Sequence, residues 1–269
     1  MIPDITGLIL TFNGERGLEK TLRSLDFCGT LLVIDSGSTD KTLEIAHTAN
    51  AKILTRDWEG TIPQFKFGFT HVETPWIITL DQDEFLSPEL KSEVVDALKN
   101  PGEWRGFFCP RRSFYLDRFL RHSGWYPDYL LRVFRLDSVE IRGMLPHEEF
   151  FPSGPTKRLQ GDIVHYPYAN MNEHIAKINS YAQIAAKELH KKGRRSGMGR
   201  AVGHGVGKFL KQYVLKKGFL DGRAGFVLAT HSFFYAFQKY LRLMELNKAS
   251  GGNLFEKKGS PPEPPSKNF

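Results

Sequence analysis

Short apolar runs rich in β-branched residues alternate with amphipathic stretches through the first hundred residues. Residues 5–12 predict a strand, and residues 17–25 a helix with Leu18, Leu22 and Leu25 on one face. A second strand is expected over 31–35. A helix over 40–49 follows, with Ser38, Thr39 or Asp40 available to cap its open N–H groups. A short strand at 51–54 and a helix at 62–71 precede the run Trp-Ile-Ile-Thr-Leu at 76–80, a buried strand with Pro75 at its entrance. Ser87-Pro88 then opens a helix to residue 98, with proline at its tolerated first position. Regular strand–helix alternation predicts an α/β fold with a mostly parallel central sheet flanked by helices.

Beyond residue 102 the pattern turns irregular and rich in aromatics and arginine, the composition of a substrate-binding half. Strands are expected at 106–110, 130–136 and 163–165, and a helix at 172–190. Residues 193–222 mix Lys and Arg with apolar side chains, and 224–238 run fifteen residues without a formal charge, short of the roughly 20 that span a bilayer. Phe226, Phe233, Phe237, Leu241 and Met244 fall close to one helical stripe. A basic amphipathic helix pair lying on an anionic membrane surface fits this pattern, and a helical cap packed on the catalytic domain is the competing reading. The expected organisation is a catalytic domain over 1–190, a basic helical extension over 191–250 and a disordered tail over 251–269. Within the first, 1–100 forms a nucleotide-binding half and 101–190 an acceptor half.

Charge sharpens this division. The formal net charge is +7, yet between Lys191 and Arg223 there are ten Lys or Arg and a single acid, Asp221, while residues 1–100 are not basic. No recognition-helix, zinc-finger or RNP-type signature accompanies the basic stretch, so nucleic acid is not an expected partner. Two cysteines, Cys28 and Cys109, make neither a disulfide framework nor a zinc site. The N-terminus shows no basic segment followed by an apolar one, so no secretory signal is expected. A cytoplasmic protein, peripheral on the inner face of the cytoplasmic membrane, is the expectation.

The candidate chemistry lies at strand ends. Asp81-Gln-Asp-Glu84 stands directly after the strand at 76–80, where ligands of open α/β sheets bind. Two carboxylates one residue apart make a hard oxygen site suited to Mg²⁺ or Mn²⁺ bridging nucleotide phosphates. The strand at 31–35 also ends in a carboxylate, followed by the small-residue turn Asp35-Ser-Gly-Ser-Thr-Asp40. A solvated acidic turn accounts for one such feature but poorly for two in one sheet. A dehydrogenase reading fails for want of G-x-G-x-x-G after the first strand.

Three segments in this order, Leu8-Ile-Leu-Thr-Phe-Asn-Gly-Glu15, Val33-Ile-Asp-Ser-Gly-Ser-Thr-Asp-Lys-Thr42 and Leu80-Asp-Gln-Asp-Glu84, resemble the inverting family-two glycosyltransferases of GT-A fold. Gly124-Trp-Tyr-Pro-Asp128, Leu131-Arg-Val-Phe-Arg135 and Pro146-His-Glu148 resemble the subgroup that builds lipopolysaccharide cores. The resemblance implies base and ribose contacts at Thr11, Asn13, Glu15 and Asp35, with Asp81 and Gln82 beside the nucleotide sugar. It implies a metal on Asp83, with Asp81 in or near the metal shell, and a phosphate contact at Lys66. Phe67 stands where the family often has asparagine, and Gln82 where it often has alanine. Glu84 is either a supporting neighbour of the metal or solvated. Glu148 is the first candidate for general base and Asp128 the second, with Glu149 also in range. Arg132 and Arg135 are expected on one strand face, to meet diphosphate or an acidic acceptor. His165 resembles a position near the metal, and Trp125 and Tyr126 suit a sugar ring or the core.

The implied activity is metal-dependent transfer of a sugar, with inversion, from a nucleotide-diphosphate donor to a hydroxyl of a glycan or lipid-linked glycan, in envelope biosynthesis. Two rivals stay open at this point. One is transfer to a polyprenyl phosphate, which needs no general base. The other is a non-catalytic, membrane-associated glycan- or nucleotide-sugar-binding protein, against which the intact Asp81 and Asp83 speak.

Overall fold

A computed structural model describes residues 2–143 and 149–249. They cluster into two units, one formed by the chain up to Ala169 together with Lys217–Gly225, the other by Asn170–Lys216 and the chain from Phe226 on. The predicted tail at 251–269 lies outside the described residues.

In chain order the first unit contains β1 (Ile2–Thr11), α1 (Leu18–Ser24), β2 (Cys28–Asp35), α2 (Thr42–Thr48), β3 (Lys52–Thr55), α3 (Thr61–Phe69), β4 (Trp76–Asp81), β5 (Glu84–Leu86) and α4 (Pro88–Lys99). Then come β6 (Gly106–Tyr115), β7 (Arg118–Phe119), β8 (Asp128–Arg135), β9 (Val139–Arg142), β10 (Glu149–Pro152), β11 (Thr156–Arg158) and β12 (Ile163–His165). The main sheet runs β3-β2-β1-β4-β8-β6-β12-β5, with β7 and β11 also paired to β6. Its first four strands are parallel. The later strands join through β8, which is antiparallel to both β4 and β6. This is the α/β architecture that the strand–helix alternation predicts.

The central strands read as continuous apolar runs because both faces are covered. Ile5, Ile9 and Val33 face one cluster with Leu18 and Leu22 of α1 and Leu90 and Val94 of α4. Leu8, Leu32 and Ile34 face the other, with Phe65 of α3. Ser87 caps α4, its Oγ accepting the Leu90 N–H at 3.2 Å. Cys28 and Cys109 are buried and unpaired, and loss of hydration pushes the Cys109 thiol up to about 12.

The second unit holds α5 (Met171–Lys191), α6 (Met198–Leu210), a π-turn at Lys211–Leu215, and α7, which starts at Gly222 in the first unit and runs to Ala249. Asn170 caps α5, accepting the Glu173 N–H at 3.0 Å. Gly205 of α6 lies under Phe233 of α7, where an added Cβ would come within 2.9 Å of the ring. His204 stacks on Tyr240 at 4.0 Å. Three more glycines of α6, Gly199, Gly203 and Gly207, are exposed and face open space. The α7 stripe expected to face outward is partly used inside the unit, since Phe233 and Phe237 stack on each other at 5.9 Å and are only half-exposed.

His174 of α5 and His231 of α7 meet Nδ1 to Nδ1 at 2.9 Å. One nitrogen donates and the other accepts, so the contact holds a single proton between the rings and a second proton is repelled. Burial, then His231 and Lys177, push the His174 pKa down from 6.5 to about 4. The unfolded chain therefore takes up this proton first as pH falls, and the helical unit loses stability progressively from about pH 6.5 down to about pH 4. Denaturant midpoints followed by helix ellipticity should fall across that window. His174→Gln should flatten the dependence, and an unchanged slope in the variant would refute it.

Candidate active site

The sheet register brings the sequence-selected strand ends together. Thr11 pairs with Asp35 across β1 and β2, and Leu10 pairs with Asp81 across β1 and β4. Three parallel strands thus deliver their carboxyl ends to one edge, the place where open α/β sheets bind ligands.

Two loops are sewn together there. Asn13, in left-handed backbone at φ 49°, donates its N–H to Ser38 Oγ at 2.9 Å and accepts the Thr39 N–H on its side chain at 2.9 Å. The Glu15 carboxylate accepts the Lys41 N–H at 3.2 Å, and Asp40 accepts the N–H groups of Glu15 at 3.1 Å and Thr42 at 3.0 Å. Asp35 is buried and accepts the N–H groups of Gly37 and Ser38 at 2.9 and 3.0 Å and the Ser38 hydroxyl at 2.5 Å. Asn13, Glu15 and Asp35 therefore shape this edge through bonds to backbone, whatever they offer a ligand.

The turn after β4 presses on the same loop. Gln82 Oε1 accepts from Thr11 Oγ1 at 2.7 Å and from the Phe12 N–H at 2.9 Å, and Nε2 donates to the Phe12 carbonyl at 3.2 Å. A Cβ at Gly14 would lie 2.6 Å from Gln82 Oε1, and one at Gly17 would lie 2.5 Å from the Gln82 carbonyl, so glycine is required for this approach. The glutamine between the two aspartates is a clamp that fixes where they stand.

Glu84 is the hub. Its carboxylate is fully buried and accepts the Asp81 N–H at 3.1 Å, Arg111 Nη1 at 2.9 Å, and Arg132 Nη2 at 2.8 Å. Burial alone would raise its pKa, but the charges of Arg132 and then Arg111 outweigh it and hold the carboxyl below its usual range. Arg132 also donates to Asp81 Oδ2 at 3.1 Å. Arg111 places Nε and Nη2 on Asp128 Oδ2 at 3.1 and 2.7 Å. Asp81, Arg111, Asp128 and Arg132 then line a cavity of about 450 Å³ together with Tyr129 and Glu149. The solvated alternative for Glu84 is thereby removed.

Arg111 and Glu84 are the members that sequence reading underrated. Pro110 ended the predicted strand, because proline cannot donate to a ladder. Yet β6 continues to Tyr115, with Pro110 opposite Tyr129 and Arg111 opposite Asp128. Arg132 and Arg135 do not share a face, contrary to expectation. Three residues apart on a strand they point oppositely, Arg132 to Glu84 and Arg135 to Asp137 at 3.0 Å. Lys66 is exposed on α3 and lines a separate shallow groove with Arg56 and Phe67, whereas Thr61 and Phe65 of the same helix reach the main cavity. Glu148 and His147 lie outside the described residues. Tyr126 donates its hydroxyl to Asp162 at 3.0 Å, and Trp125 sits 6.1 Å from Tyr115.

Among the described residues no three His, Cys, Asp or Glu converge as a ready protein cage for a metal. Asp81 and Asp83 do fit an ion that takes one or two carboxylates and completes its shell with substrate phosphates and water. The Asp81 side chain is half-exposed, and Asp83 Oδ1 stands 3.7 Å from His165 Nε2 while His165 Nδ1 is fixed on Ser113 Oγ at 2.9 Å. Hard oxygen donors beside an oriented imidazole suit a divalent cation.

Removing the hub charge while keeping its shape should be costly. Glu84→Gln leaves the buried Arg132 guanidinium, and the partly exposed Arg111 beside it, short of a counter-charge, a loss of about 3 kcal/mol or more. Urea unfolding of the variant measures it, and a midpoint equal to wild type would contradict the role given to Glu84.

The chain is similar to several known proteins. An uncharacterized glycosyltransferase of Rickettsia bellii is 26% identical over 258 residues, which covers 91% of this chain and 87% of that one. The lipopolysaccharide core biosynthesis glycosyltransferase LpsC of Rhizobium meliloti is 26% identical over 251 residues, 88% of this chain and 91% of that one. The crystal structure of glucosyl-3-phosphoglycerate synthase from Mycobacterium tuberculosis with Mn²⁺, uridine diphosphate and glucosyl-3-phosphoglycerate overlaps 42% of this chain and 44% of that one, at 20% identity and a TM-score of 0.33. The family model named Glycosyl transferase family 2 matches residues 8–154, from the first strand through the acidic strand ends to the acceptor half. The chain belongs to glycosyltransferase family 2.

Proposed function

We propose that this glycosyltransferase moves a sugar from a nucleotide-diphosphate donor to a hydroxyl of a glycan or lipid-linked glycan, inverting the anomeric centre in one displacement. The carrying observation is the alignment of two acidic strand ends, Asp35 and Asp81, on one sheet edge with Asp83 in the turn beyond. Thr11, Asn13, Glu15 and Asp35 form the base and ribose side. Gln82 holds the metal carboxylates against that side. Asp83, with Asp81 beside it, would hold Mg²⁺ or Mn²⁺, whose positive charge would offset the negative charge of the departing diphosphate. Lys66 serves as an outlying phosphate contact. The name of the LpsC relative supports an acceptor of the lipopolysaccharide-core type.

Arg132 holds Asp81 at the cavity wall, and Arg111 holds Asp128. With two N–H groups of Arg111 on one oxygen, Asp128 is held in place as a hydrogen-bond acceptor for the incoming hydroxyl. Glu148 takes the hydroxyl proton. Its chain neighbour Glu149 lines the cavity that Asp128 enters. The displaced diphosphate leaves on the opposite face of the sugar, as inversion requires. The enzyme works on the inner face of the cytoplasmic membrane, where lipid-linked acceptors are presented. The contact proposed is peripheral; no helix among the described residues is long and apolar enough to cross a membrane.

Two measurements test the site. Calorimetric titration with uridine and guanosine diphosphates should show binding that needs Mg²⁺ or Mn²⁺ and weakens at least roughly tenfold in Asp83→Ala. Affinity indifferent to chelator and to the substitution would sink the metal assignment. Glu148→Gln should abolish transfer and leave donor affinity nearly unchanged, since a general base acts on the acceptor's proton. Turnover near wild type would move the base to Asp128 or point to an acceptor that is already anionic.

A further inference from the structure

The outer face of α6 differs from what its sequence neighbourhood suggested. Met198, Val202, Val206 and Leu210 recur every four residues and are 53%, 42%, 43% and 49% exposed. Val214 and Leu215 in the π-turn extend the ridge at 51% and 76% exposed. Ala201, Gly205 and Gln212 on the other side are buried, so the helix is already packed inward and these six apolar side chains are left over. An apolar ridge of this length on an exposed helix marks a surface for something else.

The charges around the ridge identify what covers it. From Lys191 to Lys216 the chain has eight Lys or Arg and no Asp or Glu, and all eight are exposed. Arg200, Lys208 and Lys211 sit on the same helical stretch as the ridge but at different angles round it. A protein partner of ordinary surface would leave so one-sided a charge field uncompensated. A bilayer surface rich in anionic headgroups answers both features, with acyl-chain boundary for the valines and leucines and phosphate for the lysines and arginines.

We propose that the Met198–Val202–Val206–Leu210 ridge of α6, continued by Val214 and Leu215, is the face that lies in an anionic lipid leaflet. This rests on the peripheral-membrane reading above and moves the inserting side chains from α7 to α6. Phe233 of the α7 stripe is engaged with Gly205 and Phe237, which removes it from an inserting face. Apolar area and electrostatic attraction add in such a contact, so each is separately removable.

The full-length protein tests this directly. Cys28 and Cys109 are buried, so an environment-sensitive fluorophore attached to Val206→Cys reports from the ridge. The same label on Ile175→Cys reports from an exposed apolar position of α5, 53% exposed. With phosphatidylglycerol vesicles the Val206 label should shift to the blue and brighten at least twofold, while the Ile175 label stays unchanged. Neither should respond to phosphatidylcholine vesicles. Val202→Gln, Val206→Gln and Leu210→Gln together should lower vesicle partitioning roughly tenfold or more at unchanged helix content. Lys208→Gln, Lys211→Gln and Lys216→Gln together should weaken it most at low salt. Vesicle co-sedimentation with a silent Val206 label would leave the membrane reading standing and overturn the α6 face. Failure of the wild type to bind any vesicle would overturn both. Equal binding to neutral vesicles would overturn the charge argument, and with it the choice of partner. Should the triple glutamine variant lose helix content, the two labels decide alone.

Discussion

A single inward carboxylate organises the catalytic edge. Glu84 opens β5, close to the half-exposed Asp81 and the partly covered Asp83, and it alone of the acidic cluster is fully buried. In that position it pairs with Arg111 on β6 and with Nη2 of Arg132 on β8 and closes the turn by accepting the Asp81 N–H. Desolvating a carboxylate and two guanidiniums is expensive, and the cost is met only when each finds its partners. The arrangement therefore has one geometry rather than several. From it follow the half-exposed stance of Asp81, the orientation of Asp128 and the polar wall of the cavity between them.

Gln82 performs the matching task on the other flank of the turn. A side chain that both accepts from and donates to the Phe12 backbone behaves like an extra rung between two strand ends. The glycines at 14 and 17 let the turn come within contact distance of the loop. Together, Glu84 and Gln82 hold the segment between them from both directions. Asp83 consequently stands in a turn whose neighbours on each side are anchored, the pre-organisation that the metal role proposed for it would need.

Much of this was legible in the residues, and the misses have physical causes. The parallel half of the sheet is read correctly because its strands are short apolar runs separated by helices of ordinary period, and Ser87-Pro88 marks its helix as cap residues should. The acidic strand ends are visible for the same reason, since a strand with both faces buried makes its polar terminus conspicuous. The acceptor half is harder. Pro110 cut one strand short, and short strands such as β7 and β11 carry too few residues to show a period. The pairing of Glu84 with Arg111, 27 residues away, and with Arg132, 48 away, depends on strand order, which no local pattern encodes. In the helical unit the aromatic stripe of α7 drew attention that α6 merited. A stripe shows which residues share a side of a helix, and only the packing tells which side is turned inward.

The bare glycines of α6 have a consequence of their own. Gly199, Gly203 and Gly207 hold helical conformation with no side chain of their own and nothing packed over them. Relative to alanine each weakens a helix by about 1 kcal/mol, chiefly through the backbone freedom surrendered on ordering. The segment is thus held in shape by its inward contacts, Gly205 under Phe233 and His204 on Tyr240, and receives little help from its own chain. Such a helix owes its winding to what packs against it, and a surface that shields its outer side would add to that support.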